Sequence, residues 1–140
     1  MLAAGFGGAT ALAATARSRR AITLNEAGRL HLTGHRGLTL NEQGLVTGTI
    51  RGTIYIHLTI TATNRVTAEV SIYPSGGSIT GQASASYGVA GATASFNGTM
   101  NVTRGTGRYA HAHASGLGFS GTIARTNDAV AVRLSGQLAE

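Results

Sequence analysis

The feature that most constrains this chain is an alternation of apolar and polar residues with a period of two. In the clearest run Ile50, Ile54, Ile56, Leu58 and Ile60 share one face, and Thr49, Thr53, Tyr55, His57 and Thr59 lie on the other, split around a kink at Gly52. After a turn at Asn64, Val66, Ala68, Val70 and Ile72 point one way and Thr67, Glu69, Ser71 and Tyr73 the other, until Pro74-Ser75-Gly76-Gly77 closes the run. A pleated strand sends successive side chains to opposite faces, so these runs read as half-buried strands. The short turn between them makes a hairpin. Residues 79–89, 92–102 and 117–123 keep the same period, and a final strand carries Val130, Val132, Leu134 and Leu138 on one side after a tight turn at Asn127-Asp128. Nearer the start, residues 29–33 alternate, Gly34 interrupts them, and 38–40 resume before a turn read at Asn41-Glu42-Gln43-Gly44.

The composition agrees with strands. Of 140 residues 21 are Gly, one is Pro and none is Cys or Trp, and much of the rest is small or β-branched. The segments Phe96-Asn97-Gly98-Thr99-Met100 and Phe119-Ser120-Gly121-Thr122-Ile123 echo each other, and glycines recurring mid-strand suit the bends by which a sheet coils on itself. The expectation is an all-β chain forming a single small closed antiparallel β-barrel of about eight strands, with a two-sheet β-sandwich as the alternative. At this length the chain holds one domain: residues 1–24 form an apolar N-terminal tail and 25–140 the barrel.

Charge excludes some partners. The net charge is +6, but the cations are arginines scattered from Arg29 to Arg133, apart from Arg17, Arg19 and Arg20. A polyanion needs clustered cations that displace its counterions, so nucleic acid is not the expected partner. Charged residues make up only 11%, and none falls between Val70 and Thr103, so that stretch is expected to face a core or another subunit. The small residues Ser84, Ser86, Thr93 and Ser95 within it would allow a second copy to pack closely. Residues 2–16 form a small-residue apolar run ending in Ala14-Thr15-Ala16, the form of a signal-peptidase site, which points to an exported, extracellular or cell-surface protein. The run falls short of the about 20 apolar residues of a membrane span. Lys is absent while Ala, Gly and Arg abound, a usage associated with a GC-rich bacterial source.

The stretch Gly105-Thr106-Gly107-Arg108-Tyr109, with Ala112 beyond it, is similar to the Gly-Gly-Thr-Gly-x-Phe-x-x-Ala-Arg-Gly segment of dirigent proteins, and its Gly-Thr-Gly resembles that of allene oxide cyclases. The likeness extends more loosely from Gly77 to Gly121. Arg104 stands in place of the first Gly, Ala110 in place of a basic residue, and His113-Ala114 in place of Arg-Gly. The resemblance implies an eight-stranded barrel that commonly assembles as a trimer, with a lumen suited to a hydrophobic small molecule and to cofactor-free cyclisation or isomerisation.

Candidate ligand-binding residues are Tyr109, His111, His113, Arg108 and Phe119. If pairing runs without a bulge from Tyr109 to Ile123, then Tyr109, His111, His113, Leu117 and Phe119 share the luminal face; a bulge at Ser115-Gly116 turns the histidines outward. Arg108 would hold an anionic group at a barrel mouth. The spacing of His111 and His113 resembles the opening of the cupin metal motif, but no third ligand follows, so no metal and no cofactor are expected. Glu69 and Asp128 read as the acids of the clear strand region, both solvated, and no paired carboxylates stand out. Two functions are therefore carried forward: a barrel binding a hydrophobic small molecule in its lumen, and a self-associating structural β-protein without catalysis.

Overall fold

The computed structural model describes residues 21–139, and the tail and its signal-like run lie outside them apart from residues 21–24. Eight strands follow one another: β1 (Ala21–Arg36), β2 (Thr39–Gly48), β3 (Gly52–Ala62), β4 (Arg65–Pro74), β5 (Gly77–Ala90), β6 (Thr93–Gly107), β7 (Ala114–Ala124) and β8 (Ala129–Ala139). Each pairs antiparallel with the next, and β8 closes on β1 from Ala21↔Ala139 to His31↔Ala129. The result is a closed eight-stranded barrel and not a sandwich. Closure pairs both would-be edge strands, which removes open backbone hydrogen-bonding groups.

The period of two sets the radial direction of each side chain. Leu24, Leu30, Val46, Ile54, Ile56, Leu58, Val70, Ile72, Met100, Leu117 and Leu134 are buried inside, while Thr23, Thr47, Ser84, Ser95, Asn97 and Thr122 point outward. This apolar-in, polar-out sense is the reverse of a lipid-facing barrel. Among the described residues no helix is long and apolar enough to cross a membrane. Phe96 and Phe119 stack with centroids 5.1 Å apart, so the middle of the barrel is filled by side chains.

Three readings change. Residues 41–44 are not a turn: β2 runs straight through them, and the chain reverses at Gly37-Leu38. Glycine stands at position 44 because a Cβ there would run into the carbonyl oxygen of Arg29 and the Cα of Leu30 on β1, a close approach that a turn reading misses. Next, β1 is continuous through Gly34, absorbing an irregularity between Leu32 and Gly34, and it begins at Ala21, ahead of the boundary drawn at residue 25. Finally, β6 extends to Gly107, so residues 108–113 are the connection to β7 and not the start of a strand.

That connection folds over one end of the barrel. Arg108 N donates to Gly76 O at 3.0 Å, Tyr109 N to Thr106 O at 3.0 Å and Ala112 N to Tyr109 O at 3.0 Å, while His113 and Ala139 exchange two backbone bonds of 2.9 Å. Tyr109 and Ala112 are buried against the core.

Candidate functional site at the Glu42 end of the barrel

The residues singled out from the sequence do not converge on one cavity. Arg108 and Tyr109 do meet, the guanidinium lying 5.4 Å from the ring centroid, beside a shallow groove of about 310 Å³ shared with Ile22, Ile50 and Arg51. Phe119 is in the filled core. His111 and His113 are exposed in the connection, with His113 Nδ1 3.1 Å from His111 O. The bulged alternative is the one adopted: Met100 pairs with Leu117 but Val102 with Ala114, so Ser115-Gly116 holds the additional residue, and Gly116 takes φ +72°. That left-handed backbone suits glycine, and the histidines lie before the bulge in the connection, exposed to solvent while Tyr109 beside them is buried. Among the described residues no group of three or more His, Asp or Glu side chains is placed to hold a metal ion.

The barrel interior instead holds two acids that the sequence reading passed over. Glu26 on β1 and Glu42 on β2 are 1% and 2% exposed. A signal for them is present, since Leu24-Asn25-Glu26-Ala27-Gly28 recurs as Leu40-Asn41-Glu42-Gln43-Gly44. In register, Gly28 faces Val46 and Leu30 faces Gly44, so a local two-fold relates the two copies within the hairpin. One glutamate is thereby sent toward each end. Six residues of strand separate the level of Glu26 from that of Leu32, the partner of Glu42, which amounts to roughly 20 Å. The two acids are not a catalytic carboxylate pair.

Their environments differ. Glu26 Oε2 accepts from Ile50 N at 2.9 Å, clamping the β2–β3 turn. Burial raises its pKa, and hydrogen bonds from Ile50 and Thr49 pull it part of the way back. Glu42 has no such donors: desolvation alone pushes its pKa up to about 7. Oε1 of each is buried without a hydrogen-bond partner. No cation contributes to either shift, so burial in an apolar wall is what holds the Glu42 proton.

Space lies beside Glu42. A cavity of about 300 Å³ opens at this end of the lumen, walled by Leu32, Leu40, Tyr87, Ala94, Ile123 and Val130, with Arg125 and Asp128 at its exposed rim. Asp128 takes φ 58° in the β7–β8 turn, where Asn127 Oδ1 accepts from Ala129 N at 3.1 Å. It is solvated, as read from sequence, and it borders the mouth that contains the buried Glu42.

Fold and site together define a small antiparallel barrel with a packed middle and a protonatable carboxyl in the wall of one mouth. Comparison with models of known protein families, with curated proteins and with solved structures returned no match to this chain.

Proposed function

We propose that the barrel binds a hydrophobic small molecule carrying a hydrogen-bonding oxygen, with its apolar body in the mouth at Glu42 and its oxygen on that carboxyl. The observation that carries this reading is Glu42 Oε1, buried and unpartnered in the wall of a cavity where Leu32, Leu40, Ala94, Ile123 and Val130 surround it and Arg125 and Asp128 stand at the rim. A buried polar atom without a partner costs about 1–3 kcal/mol, which a ligand donor or acceptor would offset. The volume of about 300 Å³ sits at the lower end of small-molecule sites. A carboxyl with a pKa of about 7 also exchanges its proton near neutrality, as cofactor-free isomerisation or cyclisation requires. The likeness to dirigent proteins and allene oxide cyclases supports the same reading.

Native mass spectrometry of the protein purified from its own source tests it. The expected result is a reproducible extra organic mass that is weakened at least tenfold by Glu42→Gln or by Ala94→Phe, which fills the cavity. Absence of any bound mass, or one indifferent to both changes, overturns the assignment.

Self-association is the second reading, and one observation favours it. A shallow trough of about 690 Å³ on the outer wall is lined by Ser86, Ser95, Asn97, Ser120 and Thr122, whose side chains are too short to fill it. Ser86→Arg is expected to convert an oligomer to monomer in analytical ultracentrifugation. An oligomer that survives the substitution removes this interface.

A further inference from the structure

The outer wall carries a polar row that the luminal site does not use. Asn41 stands opposite His57, His57 opposite Glu69, and Glu69 opposite Gln82, on four successive strands. Both ends of the row are tied by side-chain hydrogen bonds: His57 Nδ1 donates to Asn41 Oδ1, and Gln82 Nε2 donates to Glu69 Oε2 at 3.4 Å. With neighbouring strands about 4.8 Å apart, the row crosses roughly 14 Å of wall.

Beside it, Tyr55 and Tyr73 meet edge to face, with ring centroids 5.6 Å apart and planes at 80°. They are 36% and 51% exposed. The chain has only four Tyr, three Phe and no Trp, so two of its few aromatics stand in water side by side. Thr53, Tyr55, His57, Ser71 and Tyr73 together line a concavity of about 450 Å³. Contact between the rings contributes about 0.5–1.5 kcal/mol to the sheet. That contact does not account for oriented amide, imidazole and carboxylate groups along the same margin.

A pyranose ring matches both parts. It offers an apolar C–H face, which stacks on an aromatic ring, and a rim of hydroxyls that both donate and accept. Side chains already held by their neighbours meet those hydroxyls at a low entropic cost. Among the described residues no Arg lines the concavity, and the row brings one carboxylate and one imidazole together, which favours a neutral sugar over an anionic one. The open, elongated shape suits a stretch of polymer better than an enclosed single molecule.

We propose that the outer wall of β3 and β4 binds a neutral glycan, with Tyr55 and Tyr73 stacking on the sugar and the row from Asn41 to Gln82 reading its hydroxyls. This site is independent of the luminal one, because Glu42 faces inward on the strand from which Asn41 faces outward. The test is a titration of the full ¹⁵N-labelled chain with cellohexaose, laminarihexaose, xylohexaose and mannohexaose, followed by amide chemical shifts. At least one of them should shift Thr53, Tyr55, His57, Ser71 and Tyr73 saturably in the millimolar range. Tyr73→Ala and Gln82→Ala should each weaken that binding severalfold, Tyr73→Ala with a fall of only the few degrees in melting temperature that loss of the ring contact accounts for and Gln82→Ala with little change, while Tyr73→Phe retains binding. If none of the four sugars moves these resonances, or if Tyr73→Ala binds as well as the unaltered chain, the site is overturned. Glu42→Gln should leave the titration unchanged, so failure here and failure of the luminal reading are told apart.

Discussion

Glu42 makes the stability of this barrel depend on pH in a definite direction. Its folded pKa of about 7 stands above the ordinary 4.5, so between those values the folded chain keeps a proton that the unfolded chain has released. Stability is greatest below about 4.5 and is lost as pH rises through about 7, by about 3 kcal/mol in all. Glu26 is raised too, and adds to the slope with the same sign. Melting temperatures of the unaltered chain should therefore fall between pH 5 and pH 8, and Glu42→Gln, which cannot ionise, should flatten much of that fall. An equally steep profile in the variant would mean that Glu42 is not the group with the raised pKa. Glu26 differs at this scale because the turn it clamps donates directly to it, which gives it a structural use in the fold.

At the level of the strand, the hairpin of β1 and β2 depends on the absence of a side chain at position 44. Gly44→Ala would press a methyl group into the β1 backbone at Arg29 and Leu30, where no flexible side chain can give way. A loss of about 2–3 kcal/mol is expected, read as a lower denaturant midpoint with an unchanged slope. Gly34, around which a Cβ meets nothing within 4 Å, is the control, and its Ala variant should stay near the unaltered value. The same hairpin gives Glu42 the sequence setting of a turn. Asn-Glu-Gln-Gly has the composition of a turn, and only the register of β2 against β1 shows Leu40, Glu42 and Val46 alternating toward the lumen.

Across the whole molecule the two ends of the barrel are not equivalent. One is covered by the β6–β7 connection with Tyr109 packed beneath it, and the other holds the cavity at Glu42. Tyr109→Ala should cost about 3 kcal/mol and loosen the covered end first. Hydrogen exchange locates the effect: the Ala139 amide, bonded to His113 O at 2.9 Å, should lose protection while the Asp128 amide, bonded to Ala124 O at the far end, keeps it. Uniform loss at both ends would mean that the connection is no separate cover. The Gly-Thr-Gly stretch thus supplies the end of β6 and the root of this cover, and its histidines stay on the outside.

Alternation alone was enough to establish the all-β class, the β3–β4 hairpin, the Asn127-Asp128 turn and the inward rows from Ile54 to Ile72, because the side-chain period of a strand is a local property. Single-residue events lay beyond it. The additional residue at Ser115-Gly116 breaks the parity that would have run from Phe119 back to His111, and the pairing of Leu32 with Glu42 places a turn-like acid in the wall of the lumen. A shift of one residue exchanges the two faces of a strand, and whether it occurs is decided by the neighbouring strand across the ladder. Closure of β8 on β1 is likewise a tertiary outcome, and it is closure that gives the barrel two ends and puts a carboxyl near each. The desolvation that raises Glu42 follows from that enclosure, which is why the sequence carried the residue but only the folded barrel made it a candidate site.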